Sequence, residues 1–279
     1  MLLRVGSRGS RLALTQAGRA VEALRRPGGS TQPIEIALIP ITTAGDRDRT
    51  QPFGRIGERG VFVKELEEAL LAGRIDVAVH SAKDMTSTDT GGLVVGAYPA
   101  REDPRDALCG VAALAPGMRI GTASVRRRAQ LLALEPTLSI EPLRGNIDTR
   151  LRKRGERGLD AIVLAACGLD RLGLEGEIGA RLDPSVMLPE AGQGALALQV
   201  RAGEEMLVAA LDDAETRRRV EAERLAVALI GGGCLAPVAA HHDGSVLSVL
   251  VADEDGRWLE RRSGSDPHAL ARELEPFLR

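Results

Sequence analysis

The sequence predicts an α/β protein of two sheet-containing domains followed by a small α+β domain, and three patterns carry that prediction. Short β-branched runs alternate with helix-length apolar periodicities from Arg4 onward. The alternation restarts after Arg101-Glu102-Asp103-Pro104-Arg105-Asp106, as at a crossing between domains. Past Pro237, short strand-like runs crowd together before one last helix. With 279 residues and 44% apolar side chains, the chain can bury more than one core. The expected division is residues 1–99 with 195–212, then 100–194, then 213–279.

Val5 closes a first strand, and Ser7-Arg8-Gly9-Ser10 leads into an apolar helix periodicity over Leu12 to Leu24, stopped by Pro27-Gly28-Gly29. Ile34 to Ile41 reads as a buried strand. The polar, glycine-punctuated stretch from Thr42 to Gly60 is long enough to predict a mobile lid. A helix over Val61 to Leu71 then precedes the strand Ile75 to Val79, which delivers His80-Ser81-Ala82-Lys83-Asp84 at its end. Alternating strands and helices imply parallel pairing, and parallel sheets bind ligands beyond the carboxyl ends of their strands, so His80 to Thr86 is a candidate site. In the second domain, Gly121 to Ser124 opens a helix over Val125 to Leu134, and Leu143-Arg144-Gly145-Asn146 opens another over Ile147 to Glu156. A strand follows over Ala161 to Ala165, and Pro189 to Ala195 is a glycine-rich crossover into the strand Leu196 to Val200. A charged helix over Ala214 to Ile230 ends at Gly231-Gly232-Gly233-Cys234. Strands over Val238 to His241, Val246 to Val251 and Trp258 to Arg261, then a helix over Pro267 to Leu278, complete the chain.

Composition excludes several classes of function. A net charge of −2 and 2% aromatic residues speak against nucleic-acid binding, which needs a basic face or stacking platforms. No apolar run reaches the roughly 18 to 20 residues of a membrane span, and the N-terminus runs directly into a strand, so a cytoplasmic protein is expected. Cys109, Cys167 and Cys234 lack disulfide or metal spacing, so no metal site is expected. Cys109 and Cys167 read as buried and inert. Cys234, on a triple-glycine loop, reads equally as an exposed nucleophile or as another buried thiol.

Cations recur where loops become helices: Arg8 and Arg11, Arg126 to Arg128, and Arg144 with Arg150. Helix N-termini attract anions, and a guanidinium grips a carboxylate with two parallel hydrogen bonds, so these places suit a molecule with many carboxylates. Apart from Lys64, Lys83 and Lys153, every one of the 37 basic residues is arginine, so each arginine alone could equally be a solvated surface charge. Lys83 and Asp84 could be an ordinary turn or a charge pair at a cleft, and His80 either catalytic or a satisfied strand-end histidine.

Eight segments in one order resemble the hydroxymethylbilane synthase (porphobilinogen deaminase) family. They are Ser7 to Leu14, Gly60 to Leu66, Val79 to Asp84, Arg101 to Asp106, Gly121 to Arg127, Leu143 to Asn146, Gly192 to Ala195 and Gly232 to Cys234. The resemblance implies two α/β lobes of periplasmic-binding-protein (type II) kind and a small α+β domain bearing the cysteine. It implies a transferase that joins four porphobilinogen molecules head to tail, releases ammonia at each step, and builds on a dipyrromethane cofactor. On that resemblance Cys234 carries the cofactor as a thioether and Asp84 is the catalytic carboxylate. Lys83, Asp84, Ser124, Arg126, Arg127 and Arg150 would hold the cofactor; Arg8, Ser10, Arg144 and Gln193 would hold substrate. It also implies a monomer whose partner is the small-molecule substrate, with neither nucleic acid nor membrane. Thr86 and Arg11 stand where the family commonly has proline, which bears on loop rigidity. The rival readings are a two-lobed anion receptor, which needs no thiol, and an acyl or sulfur transferase, which would keep no stable adduct.

Overall fold

The computed structural model describes residues 2–25, 35–42, 63–86, 90–231 and 237–278, and the chain divides into two compact units: residues 1–101 with 195–218, and residues 102–194 with 219–279. The expected lid over Thr42 to Gly60 lies outside the described residues except for Thr42, and the Gly232 to Cys234 loop lies wholly outside them.

The first unit is built on a five-stranded sheet. Its elements are β1 (Leu2–Arg8), α1 (Arg11–Arg25), β2 (Glu35–Ile41), α2 (Lys64–Leu71), β3 (Val77–Ser81) and β4 (Leu93–Ala97). Alternation along the strands creates two apolar faces. Val77 and Val79 of β3 join Leu3 and Val5 of β1 against Ala17, Ala20 and Val21 of α1. Ala78 faces the other way, with Ile75, against Leu66, Ala69 and Leu70 of α2. Among the described residues the expected buried strand around Ile34 to Ile41 is instead an edge strand in which Ile36 is the buried residue, because β2 has a described neighbour on one side only.

The second unit carries β5 (Asp106–Cys109), β6 (Arg119–Gly121), α3 (Val125–Leu134), β7 (Ser139–Glu141), α4 (Ile147–Glu156), β8 (Ala161–Ala165), α5 (Ala166–Leu172) and β9 (Ile178–Leu182). The chain then supplies β10 (Leu196–Arg201) to the first unit's sheet and continues through α6 (Ala214–Ile230). The strand orders are β2-β1-β3-β10-β4 and β7-β6-β8-β5-β9. In each sheet the first three strands are parallel and the fourth, β10 or β5, runs antiparallel to both its neighbours. The sheets are therefore mixed, not the purely parallel ones that the alternation predicts. One shared strand order in two α/β sheets is the paired-lobe architecture implied by the resemblance.

The remaining strands, β11 (Val238–His242), β12 (Leu247–Ala252) and β13 (Leu259–Gly264), form an antiparallel meander, and α7 (Pro267–Leu274) follows. Ala240, Val249 and Val251 face Ala226 and Val227 of α6 and Leu270 and Leu274 of α7. Ala239 and Leu250, on the other face, pack on Ala129 of α3 and Leu188. The last helix stops at Leu274 rather than Leu278, because Pro276 cannot donate the next helical hydrogen bond and a short 3-10 turn replaces it.

Candidate functional site

In the first unit the candidate residues gather at one sheet edge. β1 and β3 are parallel, so Arg8, at the end of β1, and Ser10 just beyond it share an edge with the turn that follows β3. That turn is a 3-10 helix, Ala82–Asp84. Buried Ala82 and Met85 anchor it, and the Ala82 N–H donates to the Ala195 carbonyl at 3.0 Å. Lys83 and Asp84 are left half-buried. Ser10 Oγ accepts from the Ala13 N–H at 3.3 Å and so caps α1. His80 is the satisfied histidine of the two readings: it is 4% exposed, and its Nε2 lies 3.0 Å from Gln199 Oε1. Gln199 in turn donates to Glu67 at 2.9 Å, which leaves its oxygen to accept from the imidazole.

In the second unit a buried carboxylate organises the arginines. Asp106, at the start of β5, is 0% exposed. Its Oδ2 accepts from Arg126 Nη1 at 2.8 Å. Its Oδ1 accepts from Arg127 Nε at 3.1 Å and Nη2 at 2.7 Å, and from Gln193 Nε2 at 3.0 Å. Burial alone would raise this carboxyl's pKa, but the two guanidiniums outweigh it and hold the group well below the ordinary carboxylate range. Arg127 Nη1 donates to the Val163 carbonyl at 3.0 Å, and Arg126 Nη1 also donates to Leu188 O at 2.7 Å. Arg126 is 3% exposed, and its Nε and Nη2 atoms are buried without a hydrogen-bond partner. An unsatisfied buried donor costs about 1–3 kcal/mol, so that edge is suited to an incoming carboxylate.

The crossover that carries Gln193 is held from both sides. Gly194 has φ +90°, and a Cβ there would lie 2.6 Å from the Glu102 carbonyl oxygen, so only glycine fits. Glu223, fully buried in α6, accepts from the Gly192 N–H at 2.8 Å and from the His242 N–H at 2.7 Å. It thereby ties the crossover to α6 and β11, the elements on either side of the cysteine loop.

Ser124 and Arg144 follow β6 and β7, which are parallel, so they too lie at one sheet edge. Both helix starts there are capped by the chain itself: Ser124 Oγ accepts from Arg127 N at 3.4 Å, and Asn146 Oδ1 from Thr149 N at 2.9 Å. Arg150 sits one turn into α4, half-buried like Arg144. The structure therefore groups Arg126, Arg127 and Gln193 around one carboxylate in the second unit, and Arg8, Ser10, Lys83 and Asp84 along one edge in the first. Cys234 lies outside the described residues. Sequence reasoning missed Asp106 and Glu223. Asp106 stood in a motif read as a domain crossing and as part of the resemblance, with no role given to the acid itself, and Glu223 had no signal beyond being an acid on a charged helix. Cys109 and Cys167 are buried, and burial pushes the Cys109 thiol up to about 11.

These features define an α/β protein equipped to take carboxylate-bearing small molecules. The chain belongs to the porphobilinogen deaminase family: residues 3–209 match the family model described as "Porphobilinogen deaminase, dipyromethane cofactor binding domain". A porphobilinogen deaminase of Roseiflexus sp. (strain RS-1) is 46% identical over 285 residues, covering 96% of this chain and 92% of that protein. Those of Mycolicibacterium paratuberculosis and Syntrophotalea carbinolica are 48% and 46% identical, covering 94% and 96% of this chain and 82% and 88% of theirs. The chain is thus a transferase, a hydroxymethylbilane synthase that makes the linear tetrapyrrole from porphobilinogen on a dipyrromethane cofactor. The residues present fit that cofactor, since a dipyrrole bearing carboxylates matches the buried, unpartnered edge of Arg126.

Proposed function

We propose that Asp84 is the catalytic carboxylate and that Cys234 holds the dipyrromethane by a thioether. Lys83, Ser124, Arg126, Arg127 and Arg150 bind the carboxylates of the cofactor, and Arg8, Ser10, Arg144 and Gln193 those of the substrate. When bound, the dipyrromethane supplies the acceptor pyrrole carbon on which the product is built. The Asp84 carboxylate accepts hydrogen bonds from pyrrole N–H groups and offsets the positive charge left on the substrate when its carbon–nitrogen bond breaks and ammonia departs. The same carboxylate can take up a proton, the one released from the acceptor carbon as the new carbon–carbon bond forms. The arginines neutralise two further carboxylates with each ring added, and Cys234 keeps the growing chain on the enzyme.

The observation that supports this reading most is the buried Nε–Nη2 edge of Arg126, a carboxylate-shaped donor pair with no partner of its own. We assign residues 213–279 as a third domain, and a monomeric, cytoplasmic enzyme that binds neither nucleic acid nor membrane. The net charge of −2 speaks against nucleic acid, and among the described residues no helix is long and apolar enough to cross a membrane. Asp84→Asn tests the catalytic role. The variant is expected to fold and keep the cofactor mass while losing most turnover, because a neutral amide cannot offset the cation. Turnover within a few-fold of the parent would remove Asp84 from the mechanism.

A further inference from the structure

The motif Arg101 to Asp106 has no part in the function proposed above, yet each of its acids is committed. Glu102 pairs with Arg171 at 2.8 Å, and Asp103 holds Arg105 at 2.8 Å and Arg181 at 2.8 Å. Asp106 alone of these acids reaches Arg126 and Arg127, two of the three arginines assigned to the cofactor. We propose that Asp106 is the positioning residue of the carboxylate seat: it holds Arg126 by Nη1 alone, so that the Nε–Nη2 edge stays open for one carboxylate.

The comparison within the chain makes this geometry informative. Arg4 meets Asp76 through Nε at 2.9 Å and Nη2 at 2.6 Å, and Arg217 meets Asp212 through Nε at 2.8 Å and Nη2 at 2.9 Å. Arg105 presents the same edge to Asp103, and Arg127 presents it to Asp106 itself. That edge is the one that grips a carboxylate with two parallel bonds. Arg126 withholds it from its own counterion and keeps it buried. Oδ1 of Asp106 already takes Arg127 and Gln193, so Arg126 meets the carboxylate at Oδ2, and there with a single nitrogen. One carboxylate between two guanidiniums leaves the cluster one positive charge in excess, which one ligand carboxylate neutralises. Asp106 thus sets both the direction and the valence of the seat.

The proposal rests on the assignment of Arg126 to the cofactor, and a double-mutant cycle separates the two. Asp106→Asn, Arg126→Lys and the double variant are compared with the parent for kcat/KM on porphobilinogen, for the share of purified chain bearing the cofactor mass, and for Tm. Asp103→Asn serves as a variant of the same motif that loses partly buried ion pairs without touching the seat. Each single variant is expected to lower kcat/KM by about 10- to 100-fold, the worth of one charge-assisted pair, and to lower cofactor occupancy. The double variant should fall well short of the product of the two single effects, because much of the Asp106 effect runs through Arg126, the rest running through Arg127 and Gln193 on the same carboxylate. Asp103→Asn should lower Tm without the loss of occupancy. Multiplying effects in the double variant, or an Asp106→Asn that lowers Tm alone, would overturn the positioning role. Unchanged kcat/KM and occupancy in Arg126→Lys would overturn the cofactor assignment and this proposal with it. If Asp106→Asn does not fold, Asp106→Glu replaces it: the longer acid must displace Arg126 Nη1, and unchanged kcat/KM in that variant would equally overturn the role.

Discussion

Replacing Arg126 with leucine removes two separable things. The structural part is the Nη1 bonds to Asp106 and to the Leu188 carbonyl, at 2.8 and 2.7 Å. Removing one partner of a buried ion pair costs about 3–5 kcal/mol, and the low end applies here because Arg127 and Gln193 still satisfy Asp106. A loss of about 3 kcal/mol corresponds to a fall in Tm of about 6–12 °C for a chain of this size. The functional part is the open Nε–Nη2 edge. A hydrogen bond to a charged group contributes about 1.5–3 kcal/mol, so its loss should lower kcat/KM by about 10- to 150-fold. Both parts are read on one preparation, stability by thermal unfolding and activity by ammonia released from porphobilinogen well below either Tm. Stalled elongation should also leave shorter enzyme-bound products visible by intact mass. A variant that is less stable by the expected amount but retains kcat/KM within about twofold would show that Arg126 is a core ion pair and nothing more.

Three other outcomes follow from the same geometry. Asp76 is held down to about 2 by hydrogen bonds from Arg4, and more weakly by Arg201. Since its folded pKa lies below its unfolded value, its stabilisation is present above about pH 4 and is lost as pH falls towards 2; Asp76→Asn should cost about 1–2 kcal/mol at pH 7, after discounting for the partly exposed Arg4, and almost nothing at pH 2, as urea unfolding would read. Glu223→Gln places an amide NH2 against either the Gly192 or the His242 N–H and should cost about 1–3 kcal/mol; unchanged unfolding would show that the staple is dispensable. Cys109 and Cys167 should resist alkylation in the native protein over minutes and react once it is unfolded, and native labelling of either would contradict their burial.

Much of this was legible in the residues. The helices over Val125–Leu134, Ile147–Glu156 and Ala214–Ile230 fall where periodicity puts them, since each is long enough to show its repeat. The strands β4, β5, β6, β7 and β9 went unread because runs of three to five residues carry too little alternation to register. The strand at Leu196 to Val200 was read, but the antiparallel direction of β5 and β10 could not be foreseen from alternation alone, because a returning segment has no local mark of its direction. At the site, arginines at loop-to-helix junctions were visible as a class. That Asp106 would gather Arg126 and Arg127 from α3 and Gln193 from the crossover was not, because such convergence is a property of the tertiary fold.

The proposed chemistry depends on a covalent anchor at Cys234 and on a cluster that binds carboxylates. Intact mass followed by peptide mapping of the purified, active enzyme tests it most directly. The expected result is one dipyrrole adduct per chain, placed on the peptide containing Cys234. Full activity in a preparation whose Cys234 is a free thiol would contradict it.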